Sequence, residues 1–174
     1  MATLTQEYLI SIIDYAPLIG SFHWRYCVNK SNLWNAKYAG ELAGTVFESK
    51  PGSFYIRIKI KGITYQAHRL AWLYMTGLWP EDQIDHRDGK GYNNKWINLR
   101  EANNSQNQYN AKGPAIDLVG KRYRAKITIN RVQIHLGMYD TYKEAVEAYK
   151  AVSIEYHGQY SKYNRPEYVS SQAP

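Results

Sequence analysis

The 174-residue sequence predicts an α+β protein made of two domains. Apolar and charged residues alternate over Tyr55–Lys61 and again over 122–138, which is the period of strands that bury one face. Segments with apolar residues at helical spacing lie between and after these strands. A break at Lys112-Gly113-Pro114-Ala115 is predicted to be the linker, 112–115, because glycine and proline interrupt regular structure. The other predicted segments are a first domain, a second domain and a tail, at 1–111, 116–165 and 166–174.

The first domain is expected to open with a short amphipathic helix over Thr5–Asp14, with Thr5 as its N-cap. Residues 20–50 are rich in aromatic and turn-forming residues but have no clear period. Only short strands near Ser21–Arg25 and Ala43–Phe47 are expected there. Nothing in this stretch singles out a functional residue.

A strand with one basic face is predicted over Tyr55–Lys61, where isoleucines alternate with cationic residues on the opposite face. Lys61-Gly62 is expected to turn the chain into a partner strand, Ile63–Gln66. The basic row has two interpretations, a solvated surface or a surface that contacts the backbone of a nucleic acid. The second interpretation makes Arg57 and Lys59 DNA-binding candidates.

A helix and a second hairpin complete the first domain. Ala67–Thr76 has the apolar spacing of a helix, and Gly77 is expected to end it. Gln83–His86 is predicted to be a strand with Trp96–Glu101 as its partner, and turn-forming residues fill the loop between them. A further helix is expected from about Asn103.

Residues around this second hairpin supply the groups that phosphodiester hydrolysis needs. His86 carries an imidazole, whose usual pKa of about 6.5 suits a general base. Asp85 and Asn107 offer hard oxygen ligands of the kind that hold Mg²⁺. Asn98 can tie the loop by hydrogen bonds, and Arg100 is a candidate for a phosphate contact or a structural salt bridge. The alternative is that these residues serve turn geometry alone.

The order of these motifs closely resembles the HNH endonucleases, in the branch of phage and group I intron homing enzymes with a ββα-metal site. The resemblance covers roughly 5–110 and is carried by Ala67-His68-Arg69-Leu70-Ala71-Trp72, Ile84-Asp85-His86-Arg87-Asp88-Gly89, Asn93-Asn94, Asn98-Leu99-Arg100 and Gln106-Asn107. It implies an N-terminal ββα-metal nuclease domain that acts on double-stranded DNA.

The resemblance also implies a division of labour. His86 is the general base, Asn98 supports the loop, and Asp85 and Asn107 hold one divalent ion, Mg²⁺ or Mn²⁺ in its place. In many family members the last ligand is a second histidine, and an asparagine there is similar to the intron-homing subgroup. Asn107 is chosen among several asparagines by register. His68 belongs to the motif but receives no catalytic role.

The second domain is predicted to be a sheet packed on a helix. Arg122–Thr128 and Val132–Met138 alternate between apolar and polar residues, and Thr141 begins a helix with a capping box. Because the helix covers the apolar face, the polar face stays free for a partner. Its candidate DNA-binding residues are Arg122, Arg124, Lys126, Arg131 and Gln133.

This region, about 116–164, resembles the APETALA2-type DNA-binding domain, a three-stranded antiparallel sheet packed on one helix. The motifs that carry the resemblance are Tyr123-Arg124-Ala125-Lys126-Ile127, His135-Leu136-Gly137-Met138-Tyr139-Asp140-Thr141, Glu144-Ala145, Ala148-Tyr149, His157-Gly158 and Tyr163-Asn164. Such domains lay the exposed sheet face into the major groove, where arginine reads guanine and glutamine reads adenine.

The composition sets limits on the class of protein. Lys and Arg exceed Asp and Glu by 22 to 15, a net charge of +7 that favours a polyanionic partner. Cys27 is the only cysteine, which argues against a disulfide framework and against a structural zinc site. No apolar run is long enough to span a membrane, and the N-terminus has no signal-peptide pattern. The expected location is the cytoplasm, of a bacterial host if the resemblance to phage enzymes holds.

Three interpretations of function remain. The leading one is a metal-dependent DNA endonuclease, a monomer that nicks one strand at sites selected with the help of the second domain. The second is a catalytically inactive DNA-binding protein on a nuclease scaffold. An RNA-directed nuclease fits the charge but not a sheet that reads a major groove, because the major groove of A-form RNA is too narrow.

Overall fold

The structure is a computed structural model that describes residues 4–111 and 113–165. Lys112 of the predicted linker and the predicted tail, 166–174, lie outside the described residues. Over the described ranges the protein has five α-helices and small antiparallel sheets. The chain divides into two compact units between Asn103 and Asn104. No helix in the described part of the chain is long and apolar enough to cross a membrane.

The first unit contains three antiparallel sheets, which pair β1 with β2, β4 with both β3 and β5, and β6 with β7. Its helices and strands are α1 (Gln6–Ile12), β1 (Ile13–Ala16), β2 (Ser21–Trp24), α2 (Asn32–Tyr38), β3 (Thr45–Lys50), β4 (Ser53–Ile60), β5 (Ile63–Gln66), α3 (Ala67–Thr76), β6 (Gln83–His86) and β7 (Leu99–Ala102).

One hydrophobic core holds these elements together. It includes Leu9 of α1, Ile58 of β4 and Leu70 of α3, all fully buried. β4 keeps the predicted alternation, since Ile58 and Ile60 are buried while Lys59 between them is exposed. The core therefore fixes which face of β4 carries the cationic side chains.

The N-terminal helix begins as predicted but ends earlier. The Thr5 side chain accepts a hydrogen bond from the Tyr8 backbone N–H at 3.3 Å, as an N-cap does. Ile13 and Asp14, predicted to be helical, belong instead to β1, where Ile13 pairs with Trp24. The cause is tertiary, because this pairing gives the fully buried Ile13 a place in the sheet.

Two further elements differ from the prediction. α2 is absent from the prediction, although Ser31 caps it by accepting a hydrogen bond from the Trp34 backbone N–H at 3.2 Å. Trp96–Asn98, predicted to begin a strand, is a single 3-10 turn, and β7 starts only at Leu99. This turn lets the Asn98 side chain point back into the loop rather than along the hairpin.

The second unit is a three-stranded antiparallel sheet with β9 in the centre, packed against one long helix. Its elements are α4 (Asn104–Ala111), β8 (Ala115–Val119), β9 (Arg122–Ile129), β10 (Val132–Tyr139) and α5 (Tyr142–His157). The predicted capping box is present: the Thr141 side chain accepts from the Glu144 N–H at 3.2 Å, and the Glu144 carboxylate accepts from the Thr141 N–H at 3.0 Å. Ile127 and Tyr149 form the core of this unit.

A bulge in β10 changes the predicted alternation. The register shifts between His135 and Gly137, so Met138 lies opposite Arg124. Met138, predicted on the apolar face, therefore shares the cationic face, and Tyr139 takes its place opposite Tyr123. A bulge of this kind is invisible to a pattern that assumes a constant period of two.

α4 belongs to the second unit, although the predicted boundary places it in the first domain. The Tyr109 ring stacks on the His157 ring, with centroids 3.7 Å apart. Arg165 donates hydrogen bonds to the Asn110 side-chain oxygen at 3.0 Å and to its backbone carbonyl at 2.5 Å. These contacts explain why the boundary precedes α4.

Candidate active site

The candidate active site lies at the end of the β6–β7 hairpin. Asp85 pairs with Arg100 across the hairpin, and His86 pairs with Leu99. β6 ends at His86, where the Gly89 N–H donates to the His86 carbonyl at 2.7 Å and starts a turn. Asp85 and His86 are each only 5% exposed. The strand thus ends where the sequence predicts, and both side chains are held inside the protein.

Asn98 ties the loop that follows His86. Its side-chain N–H donates to the Asn93 carbonyl at 2.7 Å and to the Asp88 carboxylate at 2.9 Å. Its side-chain oxygen accepts from the Asp88 backbone N–H at 3.0 Å. The two contacts with the backbone are of the kind that the sequence predicts for Asn98, whereas the contact with the Asp88 carboxylate was not predicted. Asp88 makes several of the hydrogen bonds in this loop. The sequence did not predict this role, because an aspartate in a turn is common.

The His86 imidazole is oriented by Asn94, which sequence reasoning missed. His86 Nε2 lies 3.3 Å from the Asn94 side-chain oxygen. Asn94 is 1% exposed, and its amide nitrogen donates to the Tyr92 carbonyl at 3.3 Å, which directs the oxygen toward His86. Tyr15 donates its hydroxyl to the Asn94 carbonyl at 2.6 Å. The only sequence signal for Asn94 is its place in an Asn-Asn pair.

Two rings pack beside His86. The His68 ring meets it edge-on with centroids 5.0 Å apart, and the Tyr55 ring lies 6.1 Å from it. Gly91 permits this approach, since a Cβ at Gly91 would lie 2.4 Å from a Tyr55 ring carbon. Over the described residues, the buried Nδ1 of His68 has no hydrogen-bond partner. His68, left without a role by the sequence, is therefore part of the surroundings of His86.

Burial keeps both imidazoles neutral. Desolvation lowers the pKa of His86, against the opposing effects of the Asn94 hydrogen bond and the Asp88 and Asp85 carboxylates. Burial, with the neighbouring His86 and Arg69, lowers the pKa of His68 to about 3. A neutral His86 is the form that can accept a proton.

Asp85 is engaged by Arg100. Its Oδ2 accepts hydrogen bonds from Arg100 Nε at 2.8 Å and from a terminal guanidinium nitrogen at 2.6 Å. Arg100 is 6% exposed. Of the two roles considered for Arg100, the geometry supports the structural salt bridge, because a buried guanidinium is not presented to a phosphate.

The chemistry of the predicted ligands fits a hard divalent ion. Asp85 contributes a carboxylate and Asn107 an amide oxygen, and Mg²⁺ is commonly held by only one or two protein groups. Within the described ranges, no group of three or more His, Cys, Asp or Glu residues is arranged to hold a metal. Asn107 lies on α4, in the second unit, so its part in the site stays a prediction.

The predicted DNA-binding residues of the second unit lie on the exposed side of its sheet, but three of them have carboxylate partners. Arg124 and Lys126 contact Asp117 on β8 at 2.9 and 2.5 Å. Arg122 contacts Asp140 at 2.8 Å. Lys126 and Arg124 also lower the pKa of Asp117 through their hydrogen bonds to it. The sequence did not predict Asp117 as a partner of these cations. β8 is a five-residue strand in which polar and apolar residues do not alternate, so nothing marks its exposed face.

The remaining candidates are more exposed. Arg131 and Gln133 lie at the β9–β10 turn and on β10, both exposed. In the first unit Lys59 is exposed, and the Arg57 guanidinium lies 3.3 Å from the centre of the Phe47 ring. None of these side chains is placed in the core.

Acidification is expected to destabilise the first unit through His68. Its folded pKa of about 3 lies below the usual 6.5, so the unfolded chain binds a proton that the folded chain does not. The free energy of unfolding should fall as pH drops below 6.5, by at most about 1.4 kcal/mol per pH unit from this residue. Urea unfolding at pH 7, 6 and 5 tests this, followed by tryptophan fluorescence.

All five tryptophans lie in the first unit, so this signal reports on that unit alone. His68→Asn should show a smaller loss of stability between pH 7 and pH 5 than the wild type. An equal loss in both proteins would contradict the prediction.

Residues 65–109 match the family model described as HNH endonuclease. The matched segment includes α3, the β6–β7 hairpin and Asn107, and it supports an HNH nuclease. No curated protein and no solved structure matches this chain.

Proposed function

We propose that this protein is a metal-dependent DNA endonuclease that hydrolyses phosphodiester bonds, nicking one strand at sites selected with the help of its C-terminal unit. The observation that carries the proposal is the buried His86, oriented by Asn94 beside Asp85 in a loop tied by Asn98. This arrangement lies inside the segment that matches the HNH endonucleases. It provides a fixed neutral base next to a carboxylate.

The contact with Asn94 favours one of the two tautomers of His86. An amide oxygen can only accept, so the contact is a hydrogen bond in the tautomer whose Nε2 carries the proton. In this tautomer Nδ1 would be the nitrogen without a proton, the form that a general base needs. Asn94 holds the ring in this tautomer, and Asn98 keeps the loop that carries Asn94 in place.

Asp85 and Asn107 are the residues that would hold the divalent ion. Bound Mg²⁺ or Mn²⁺ would neutralise charge on the phosphate and on the leaving oxygen. Arg100 orients the Asp85 carboxylate by donating two hydrogen bonds to one of its oxygens. Asp85 is thereby a rigid group rather than a mobile one.

The C-terminal sheet is the proposed reading surface, as its similarity to the APETALA2-type domain suggests. Arg131 and Gln133 are exposed, while Arg122, Arg124 and Lys126 would exchange their carboxylate partners for DNA. A single matched nuclease segment favours a monomer that cuts one strand. The same proposal includes an origin of this protein in a phage or a homing intron, and a location in the cytoplasm of a bacterial host.

Metal removal tests the enzymatic part. With Mg²⁺ or Mn²⁺, the full chain is expected to convert supercoiled plasmid to the open-circular form, and excess EDTA should stop the conversion. Agarose gels over a time course measure it. Plasmids that shift in mobility but stay supercoiled with either ion would favour the second function, an inactive DNA-binding protein.

Replacing Arg122 and Arg124 with alanine tests the reading surface. The double variant is expected to bind a preferred plasmid more weakly and with a shallower salt dependence, by about one unit of slope for each phosphate that it no longer binds. Nicking of a non-specific plasmid at low salt should stay near the wild-type rate. Lys143→Ala, which changes an exposed cation on α5, is the matched control. Equal loss on every substrate would argue against a separate reading unit.

A further inference from the structure

A groove in the first unit lies apart from the matched segment. It is a cavity of about 590 Å³ bordered by α1, α2 and the β3–β4–β5 sheet. Its aromatic lining residues are Tyr8, Trp24, Trp34 and Tyr38, and we call it the aromatic groove. All four are half-buried, so each keeps part of its ring at the surface. A volume of this size suits a small planar ligand with attached polar groups.

The rings of the aromatic groove are not stacked on one another. Trp24 and Trp34 meet nearly edge-to-face at 5.8 Å, and Tyr38 is tilted against Trp34 at 5.2 Å. Such contacts leave ring area without a parallel partner. A planar base can use that area for stacking.

Cations surround the same rings. Lys30, Arg57, Lys59 and Lys61 line the groove, and among its described lining residues none is aspartate or glutamate. The Lys61 ammonium lies 3.6 Å from the centre of the Tyr8 ring, and the Lys30 ammonium lies 5.4 Å from Trp34. A lining of aromatic rings and positive charges is complementary to a ligand that is aromatic and anionic. A nucleotide has both properties.

β4 connects the groove to the candidate active site. Every second residue of β4 lies on the same face, which places Tyr55, Arg57 and Lys59 together. Tyr55 is the ring that packs against His86. A strand rises about 3.3 Å per residue, so Lys59 lies roughly 13 Å along β4 from Tyr55. A nucleic acid strand that follows the Arg57 and Lys59 side chains would reach the groove a few nucleotides from His86.

We propose that the aromatic groove binds an unpaired nucleotide of the DNA substrate. Its base stacks on the Trp34 ring, and the flanking phosphates contact Lys30 and Lys59. The proposal rests on the DNA endonuclease function proposed above. A base inside a duplex has no free face to offer an aromatic ring, so the strand must be single or locally opened where it enters the groove.

Fluorescence anisotropy tests the proposal with the full chain, in EDTA so that nothing is cleaved. The probe is a fluorescein-labelled oligo(dT). Trp34→Ala is expected to bind it about ten-fold more weakly than the wild type, because stacking on an aromatic ring contributes substantially to single-strand binding. Trp34→Phe, which keeps an aromatic face, should recover most of the affinity.

A second variant avoids the partly buried tryptophan. Lys30 and Lys59 are both exposed, so Lys30→Glu with Lys59→Glu should fold normally and bind oligo(dT) at least about ten-fold more weakly. Lys50→Glu is the matched control, since Lys50 is an exposed cation of β3 outside the groove lining. Weaker binding by both groove variants, with Lys50→Glu close to wild type, would support the proposal.

Competition assays separate the alternatives. Duplex DNA of equal length should displace labelled oligo(dT) less well than unlabelled oligo(dT) does, and dTMP should not displace it at matched nucleotide concentration. Equal displacement by duplex would make the groove a general anionic surface, and displacement by dTMP would make it a free-nucleotide site. Either result overturns the proposal, as would wild-type protein that does not bind oligo(dT) or Trp34→Ala binding as tightly as wild type.

The binding assay is independent of catalysis. If the groove variants behave as expected but no plasmid is ever nicked, the endonuclease proposal fails while the groove still binds single strands. If plasmids are nicked and the groove variants bind normally, only the groove proposal fails.

Discussion

Replacing His86 with alanine is expected to lower the rate of plasmid nicking at least about 100-fold, because a positioned general base contributes that much to proton transfer. His86 is buried, held at Nε2 by Asn94, and flanked by the Tyr55 and His68 rings. Water reaching the space left by alanine would have no fixed acceptor for its proton. Initial nicking rates with saturating Mg²⁺ measure the decrease.

Removing a buried ring also leaves a cavity, so the His86 measurement needs controls. His86→Gln keeps a hydrogen-bonding side chain of similar length and should be as inactive as His86→Ala. His23→Gln changes a half-buried histidine of β2 and should nick like the wild type. Tryptophan fluorescence checks that each variant keeps the first unit folded. A His86→Gln protein that nicks nearly as fast as the wild type would refute the assignment of the base.

Arg100→Met is expected to destabilise the first unit by about 3–5 kcal/mol, which is the usual cost of removing one partner of a buried ion pair. Asp85 and Arg100 are 5% and 6% exposed, so the carboxylate would stay buried without its closest cation. Urea unfolding at pH 7, followed by tryptophan fluorescence, measures the change in stability.

A double variant tests the cause of this destabilisation. Asp85→Asn together with Arg100→Met removes both charges and should recover part of the stability that Arg100→Met loses. A destabilisation below about 1 kcal/mol for Arg100→Met would mean that the ion pair contributes no more than an exposed one. Arg100→Lys should leave the salt dependence of DNA binding unchanged, because a buried guanidinium releases no counterion.

Elements with a strong local signal agree with the sequence prediction. β5, α3 and β6 have the predicted bounds, because glycine ends α3 and turn-formers follow β6. α5 has its predicted capping box. The unpredicted α2 has a weak periodicity, and only Ser31 marks its start. The short α1 and the bulge in β10 depend on strand pairing, which no local pattern contains.

The candidate site shows the same division. The positions of Asp85, His86 and Asn98 at the hairpin are predictable because their spacing follows the hairpin, while their roles stay predictions. Asn94 is not predictable, because its function arises only when the loop folds back on His86. Arg100 pairs with Asp85 from a neighbouring strand, and Asp117 pairs with Arg124 in the same way. Predicting these pairs requires the strand register as well as the sequence.

Asp117 gives the C-terminal sheet an internal substitute for phosphate. Under the proposed function, DNA that approaches Arg124 or Lys126 would displace a carboxylate already bound at 2.9 or 2.5 Å. Each new contact would then exchange one anion for another, which would lower the affinity for DNA that makes no further contact. DNA sequences that add contacts to exposed residues such as Gln133 would be bound more tightly than the rest. The Asp117 carboxylate would thereby lower the affinity for DNA in general and raise the selectivity among DNA sites.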